Sequence, residues 1–102
     1  MVTQRTMVTQ RRSNIEIIAD MLRIGENGAG KTEIMYSANM SYSQLTKYLT
    51  FLIDQGFIDR VEMGNTGVNY QLTDHGSKLL ESINCVLELL RLSESQPPLT
   101  TP

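Results

Sequence analysis

The sequence predicts a mainly α-helical domain that carries one β-hairpin, an α+β fold, and three observations predict it. Apolar residues recur at helical spacing in four stretches of the chain. Between the third and fourth stretches the spacing changes to alternation on either side of a Gly/Asn-rich turn. Caps and stops bound the helical stretches, giving the order helix, helix, turn, helix, hairpin, helix. At 102 residues the chain fits one domain with a modest core.

Residues 1–12 contain a short duplication, MVTQR at Met1 and again at Met7, with Arg5, Arg11 and Arg12 and no acid. They read as a flexible basic arm, unless Met7 is the true start. Ser13 to Glu16 form a capping box, in which the Ser hydroxyl covers a free N–H and the Glu reaches back. Ile15, Ile18 and Leu22 share one face of the helix that follows, and Ile17, Met21 and Ile24 widen it; the glycines from Gly25 to Gly30 end it. A short helix from about Thr32 to Ala38 buries Ile34, Met35 and Ala38. After the turn Asn39–Ser41, a third helix runs over 42–55 with Leu45, Tyr48, Leu49, Leu52 and Ile53 as its buried stripe, stopped by Gly56.

Alternation in FIDRVEM and VNYQL, around GNTG, predicts the hairpin. Thr73 caps a last helix over 73–92, with Asp74 suited to its N-terminus and Arg91 to its C-terminus. The domain proper is therefore 13–72, and the Pro/Ser/Thr-rich tail 93–102 reads as disordered.

Composition narrows the function. Cys85 and His75 are the only residues of their kinds, which leaves no internal disulfide, no Cys-based zinc site and no histidine metal centre; both are read as structural. No apolar run approaches the roughly 20 residues of a membrane span, and the N-terminus lacks a signal-peptide core, so a cytoplasmic protein is expected. A formal net charge of −2 argues against a generic DNA-coating protein. The charge is uneven: beyond Arg60 only Lys78 and Arg91 face Glu62, Asp74, Glu81, Glu88 and Glu94, so nucleic-acid contact is expected from the N-terminal part. No grouping of acid, base and nucleophile predicts catalysis, and no cofactor is expected.

GENGAGKT, Gly25 to Thr32, matches the phosphate-loop pattern with Lys31 and Thr32 in the diagnostic places. Such a loop needs a strand before its glycines and a helix starting at the phosphates. Here a capped amphipathic helix precedes Gly25. The match is expected to be an interhelical turn that binds no nucleotide, with Lys31 available to the DNA backbone.

The order of elements is the winged helix-turn-helix plan. KTEIMYSANMSYSQLTKYLTFLIDQGFI (Lys31 to Ile58) also resembles the small archaeal winged-helix DNA-binding proteins, which include regulators and chromatin-type proteins. The specific part is Lys31, Thr32, Ile34, Met35, Tyr36, Ala38, Asn39, Ser41 and Tyr42. YQLTDHG, Tyr70 to Gly76, matches the family's Tyr-x-Leu-Thr-x-x-Gly entry into its last helix. The resemblance covers Arg12 to about Leu90. It implies an archaeal origin, DNA binding and a homodimer formed through the last helix as an antiparallel coiled coil. Two departures, a shorter last helix and the acidic balance, favour a regulator with a chosen site over a DNA-coating role.

In a helix-turn-helix the second helix lies in the major groove and reads bases through its N-terminal residues. Removing the apolar stripe leaves Ser43, Gln44, Thr46, Lys47 and Thr50 facing outward, as DNA contacts or as plain solvated residues. Gln44 can bind adenine in bidentate fashion, and Lys47 can reach guanine or a phosphate. Ser43 and Thr46 are short donors for phosphates. Tyr42 can offer a hydroxyl, whereas Tyr36 is expected in the core. Asn65 and Thr66 at the hairpin tip, with Arg60 at its base, either grip the backbone or form an ordinary turn. Arg11 and Arg12 either reach the minor groove or phosphates, or belong to a solubilising arm.

In the last helix Leu79, Ile83, Val86 and Leu90 follow a 4-3-4 spacing, widened by Leu80, Leu87 and Leu89. This is more apolar surface than a small core needs and predicts a two-fold dimer. The expectation is thus a dimeric, sequence-selective transcriptional regulator of double-stranded DNA in the cytoplasm, associated with the nucleoid. The alternatives are a non-specific chromatin-type protein and a winged-helix module for protein–protein contact.

Overall fold

A computed structural model describes residues 13–95. The arm with Arg5, Arg11 and Arg12, and residues 96–102, lie outside the described residues.

Helix α1, Asn14–Gly25, starts on the expected capping box: the Glu16 N–H donates to Ser13 Oγ at 3.2 Å and the Ser13 N–H to Glu16 Oε1 at 3.0 Å. Ile17, Met21 and Leu22 are buried, with Ala19 between them. Ile15, expected on that face, points outward; it lies in the first turn, before the helix reaches the core. The other end of α1 runs against the hairpin, where a Cβ on Gly25 would stand 3.4 Å from the Leu72 nitrogen.

Helix α2, Lys31–Ser37, and helix α3, Tyr42–Asp54, are joined by a turn closed by its own hydrogen bonds. Asn39 adopts φ 56°, while its N–H donates to the Tyr36 carbonyl (3.2 Å) and that of Met40 to Met35 (2.9 Å). This is the Schellman arrangement, with asparagine rather than glycine in the left-handed position. Helix α3 ends in the same way: Gly56 has φ 80°, and its N–H and that of Phe57 bond to Ile53 and Leu52 at 3.0 and 2.9 Å.

Strands β1, Ile58–Glu62, and β2, Val68–Leu72, pair antiparallel with Ile58 opposite Leu72, Arg60 opposite Tyr70 and Glu62 opposite Val68. A 3₁₀ turn, Gly64–Thr66, joins them. Ala29 adds an isolated bridge to Tyr70, with backbone bonds of 3.1 and 2.8 Å, so the loop after α1 is stitched to the hairpin edge.

Helix α4, Asp74–Ser95, has 22 residues and extends three beyond the expected end at 92. Ser93, Glu94 and Ser95 are polar but do not break a helix. No described helix is long and apolar enough to cross a membrane.

Thr73 fixes where α4 begins. Its hydroxyl lies 2.7 Å from the Gly56 carbonyl and 3.1 Å from that of Phe57, and it accepts the Gly76 N–H at 2.9 Å. Gly76 passes so close to the Phe57 carbonyl that a Cβ would overlap it. This supplies a physical reason for Thr-x-x-Gly. The His75 ring stacks on Phe57, with centroids 4.7 Å apart. The core draws on every element, with Met21, Leu22, Ile34, Leu45, Leu52 and Ile58 at its centre and Tyr70, Leu80 and Ile83 closing it.

Candidate nucleic-acid interface

Burial of Leu45, Leu49 and Leu52 fixes the rotation of α3, and the 3.6-residue period then decides what faces outward. Tyr42, Ser43, Gln44, Thr46, Lys47 and Thr50 are all exposed, as that period demands. They form the free face at the start and middle of the helix.

Two of these side chains are already engaged. Gln44 is the return half of a second capping box: its N–H donates to Ser41 Oγ at 3.1 Å, while Ser41 N–H donates to Gln44 Oε1 at 3.3 Å. Bidentate reading of adenine uses the same amide oxygen as acceptor, so Gln44 would have to share it. Thr46 is engaged within its own helix. Its hydroxyl donates to the Tyr42 carbonyl at 3.0 Å, which commits the proton a phosphate contact would need.

The cations sit on aromatic rings. Lys31 Nζ, at the start of α2, lies 5.8 Å from the Tyr42 ring centroid, linking the first residues of both helices. Lys47 Nζ lies 5.8 Å from the centroid of Tyr48, whose hydroxyl donates to Asn14 Oδ1 at 2.6 Å and ties α3 to α1.

The hairpin stands beside this group, because Val68 of β2 borders Gly30: a Cβ on that glycine would be 3.9 Å from the Val68 carbonyl. Arg60 projects from β1 and is paired with Glu62, Nη1 to Oε2, at 3.2 Å. The neighbouring Glu62 carboxylate and then the Tyr70 hydroxyl push the guanidinium above its ordinary range. Asn65 is exposed in the 3₁₀ turn at the tip. Lys31, Tyr42, Ser43 and Gln44 are thus brought together at the start of the two helices, with Arg60 and Asn65 on the adjoining hairpin. Arg11 and Arg12 lie outside the described residues.

Tyr36, expected in the core, is 74% exposed. Ile34 and Ala38 face inward, and a residue midway between them on a helix points the opposite way. That signal was present in the spacing. The Arg60–Glu62 pair was legible too, since residues two apart on a strand share a face.

The five expected dimerisation residues divide. Ile83 is buried in the protomer's own core, and Leu79 and Leu87 pack against it. Val86 and Leu90 are 48% and 55% exposed, together with Leu89 at 65% and the neighbouring Cys85. The free apolar stripe of α4 is therefore Val86, Leu89 and Leu90, rotated from the one expected, because Leu80 and Ile83 set the inward face.

In the stretch from Gly25 to Thr32 the preceding element is a helix, and loop N–H groups point back into the protein. That of Gly28 bonds Gly25 at 3.0 Å and that of Ala29 bonds Tyr70. The strand-loop-helix cradle of a phosphate loop is not formed by these residues.

Residues 11–91 match the family described as winged helix-turn-helix. The chain belongs to that family. The uncharacterized protein MJ0287 of Methanocaldococcus jannaschii is 36% identical over 88 residues, covering 85% of this chain and 82% of its own length. A second uncharacterized protein of that archaeon, MJ0290, is 36% identical over 86 residues, and the match spans 38% of its length. Among solved structures, Sso10a-2, a DNA-binding protein from Sulfolobus solfataricus, superimposes with a TM-score of 0.73 at 26% identity, covering 82% of this chain and 87% of that one. The oxidized form of MarR from E. coli shares the fold, with a TM-score of 0.68 at 20% identity over 84% of this chain and 61% of its own. In this winged helix-turn-helix protein α2 and α3 are the helix-turn-helix pair, and the β1–β2 hairpin is the wing.

Proposed function

We propose that this winged helix-turn-helix protein binds double-stranded DNA as a homodimer and acts as a sequence-selective transcriptional regulator in the cytoplasm, associated with the nucleoid. The observation that carries the reading is the exposed first half of α3, from Tyr42 to Lys47, with Lys31 beside it. A helix held on its apolar side by the core, with polar groups and a lysine free on the other, suits entry into the major groove. Lys47 supplies the long cation. Ser43 keeps an uncommitted short hydroxyl, and the Gln44 amide can still donate. Lys31, Arg60 and Asn65 are assigned to the flanking phosphates, and so are Arg11 and Arg12. Similarity to a DNA-binding protein of Sulfolobus solfataricus supports the reading. So does the fold shared with a MarR variant solved in complex with operator DNA, at a TM-score of 0.56.

The dimer rests on Val86, Leu89 and Leu90, three large apolar side chains left in water on one side of a 22-residue helix. Pairing this stripe with its copy about a two-fold axis would place two reading helices on one duplex.

Fluorescence anisotropy with labelled duplexes, one random and one from the gene's upstream region, tests the reading. Tighter binding to the upstream duplex, falling steeply with salt, is expected. Equal affinity for both would indicate a chromatin-type protein. No binding at low salt would leave the fold as a protein–protein module.

A further inference from the structure

Arg60 is the single basic residue of the wing, and it is already occupied. Its Nη1 lies 3.2 Å from Glu62 Oε2, two positions along the same strand. Ile58, Arg60 and Glu62 share one face of the hairpin with their partners Leu72, Tyr70 and Val68. Ile58 and Tyr70 are buried, so this is the face turned toward the helices, and the Arg60–Glu62 pair carries it outward beyond the core. Val68, opposite Glu62, borders Gly30, the residue before Lys31. The pair therefore stands at the edge of the opening between the wing and the starts of α2 and α3. A phosphate entering there would meet a guanidinium and a carboxylate side by side.

We propose that Glu62 is a built-in competitor for Arg60, occupying the guanidinium in the free protein and lowering the affinity of the wing for duplex DNA. The inference rests on the DNA-binding reading. The exchange is chemically simple. The carboxylate accepts from Arg60 Nη1 at 3.2 Å, and the guanidinium, with five N–H donors, can turn others toward a phosphate oxygen. Both side chains are exposed, so the pair is weak enough to open and the released carboxylate is readily hydrated. A wing whose cation is partly neutralised contributes little to unspecific affinity and leaves discrimination to α3. The acidic balance of the whole chain acts in the same direction.

Anisotropy titrations with one duplex at low salt, using the full chain and its Glu62→Gln, Arg60→Ala and doubly substituted forms, test the proposal. Glutamine keeps an acceptor oxygen for orienting Arg60 while removing the charge. Glu62→Gln is expected to bind about 2- to 5-fold more tightly, Arg60→Ala more weakly, and the added Glu62→Gln change to bring little gain when Arg60 is absent. Weaker or unchanged binding by Glu62→Gln would overturn the competitor role, as would the same gain with and without Arg60. If no form binds duplex, the DNA-binding reading itself fails and the proposal with it, an outcome distinct from binding that Glu62→Gln does not alter.

Discussion

Gln44 and Ser41 hold each other at the start of the helix assigned to reading DNA, N–H to Oγ at 3.1 Å in one direction and N–H to Oε1 at 3.3 Å in the other. The same side chain therefore caps α3 and stands on its exposed face. The two roles can be separated. Gln44→Glu keeps the acceptor the cap requires but removes the amide donor and adds a negative charge. Its thermal stability should stay near that of the parent, while its affinity for duplex should fall by roughly tenfold or more. Gln44→Ala should lose both, with a stability cost of about 0.5–1 kcal/mol for half of a capping box. Paired melting and anisotropy measurements check this.

Lys47 should behave as a simple cation toward the duplex. Lys47→Ala is expected to reduce affinity and lower the slope of log affinity against log salt by about 1 if its contact is to a phosphate. If Lys47 reads guanine instead, the variant should lose about 1–3 kcal/mol of discrimination at one base position. Titrations at several salt concentrations, on parent and base-changed duplexes, distinguish the two.

Gly76 is required by space rather than by backbone angle. Its Cβ would overlap the Phe57 carbonyl and crowd Leu72 Cδ1 at 2.7 Å. Gly76→Ala should cost about 1–3 kcal/mol, as overpacking does. Gly56 has the opposite character, with open space around it and φ 80°. Gly56→Ala should cost about 1–2 kcal/mol through backbone strain alone. Urea unfolding of both variants measures the difference.

The two sides of α4 give opposite phenotypes. Leu89→Glu and Leu90→Glu should convert a dimer to a folded monomer, seen as a lower sedimentation coefficient with an unchanged helical spectrum. Ile83→Glu should unfold the chain, because it puts a charge into the core. A folded monomer of the parent protein would remove the dimer from the account.

Most of the fold was legible because its signals are local. The capping box at Ser13, the glycine after α3 and the alternation from Ile58 to Leu72 each act within a few residues of chain. What escaped depended on how elements meet. The inward face of α4, which buries Leu80 and Ile83, is chosen by how the helix packs on α1 and β2, so the apolar excess was visible but its rotation was not. The Ala29–Tyr70 bridge joins residues far apart in sequence and left no local trace. Tyr36 was misplaced for a different reason: residue type outweighed the helical spacing that put it outside. At the candidate interface, the sequence identified the exposed residues of α3 but not their existing hydrogen bonds, and those bonds bear on the roles of Thr46 and Gln44.

The most direct test of the central claim, that α3 enters the DNA groove, is a residue-by-residue map of amide chemical shifts during titration with a duplex. Shifts are expected to concentrate at Lys31, at Tyr42 to Lys47 and on the wing from Arg60 to Asn65, with Leu80 and Ile83 undisturbed. Shifts confined to α4, with Tyr42 to Lys47 unmoved, would contradict it.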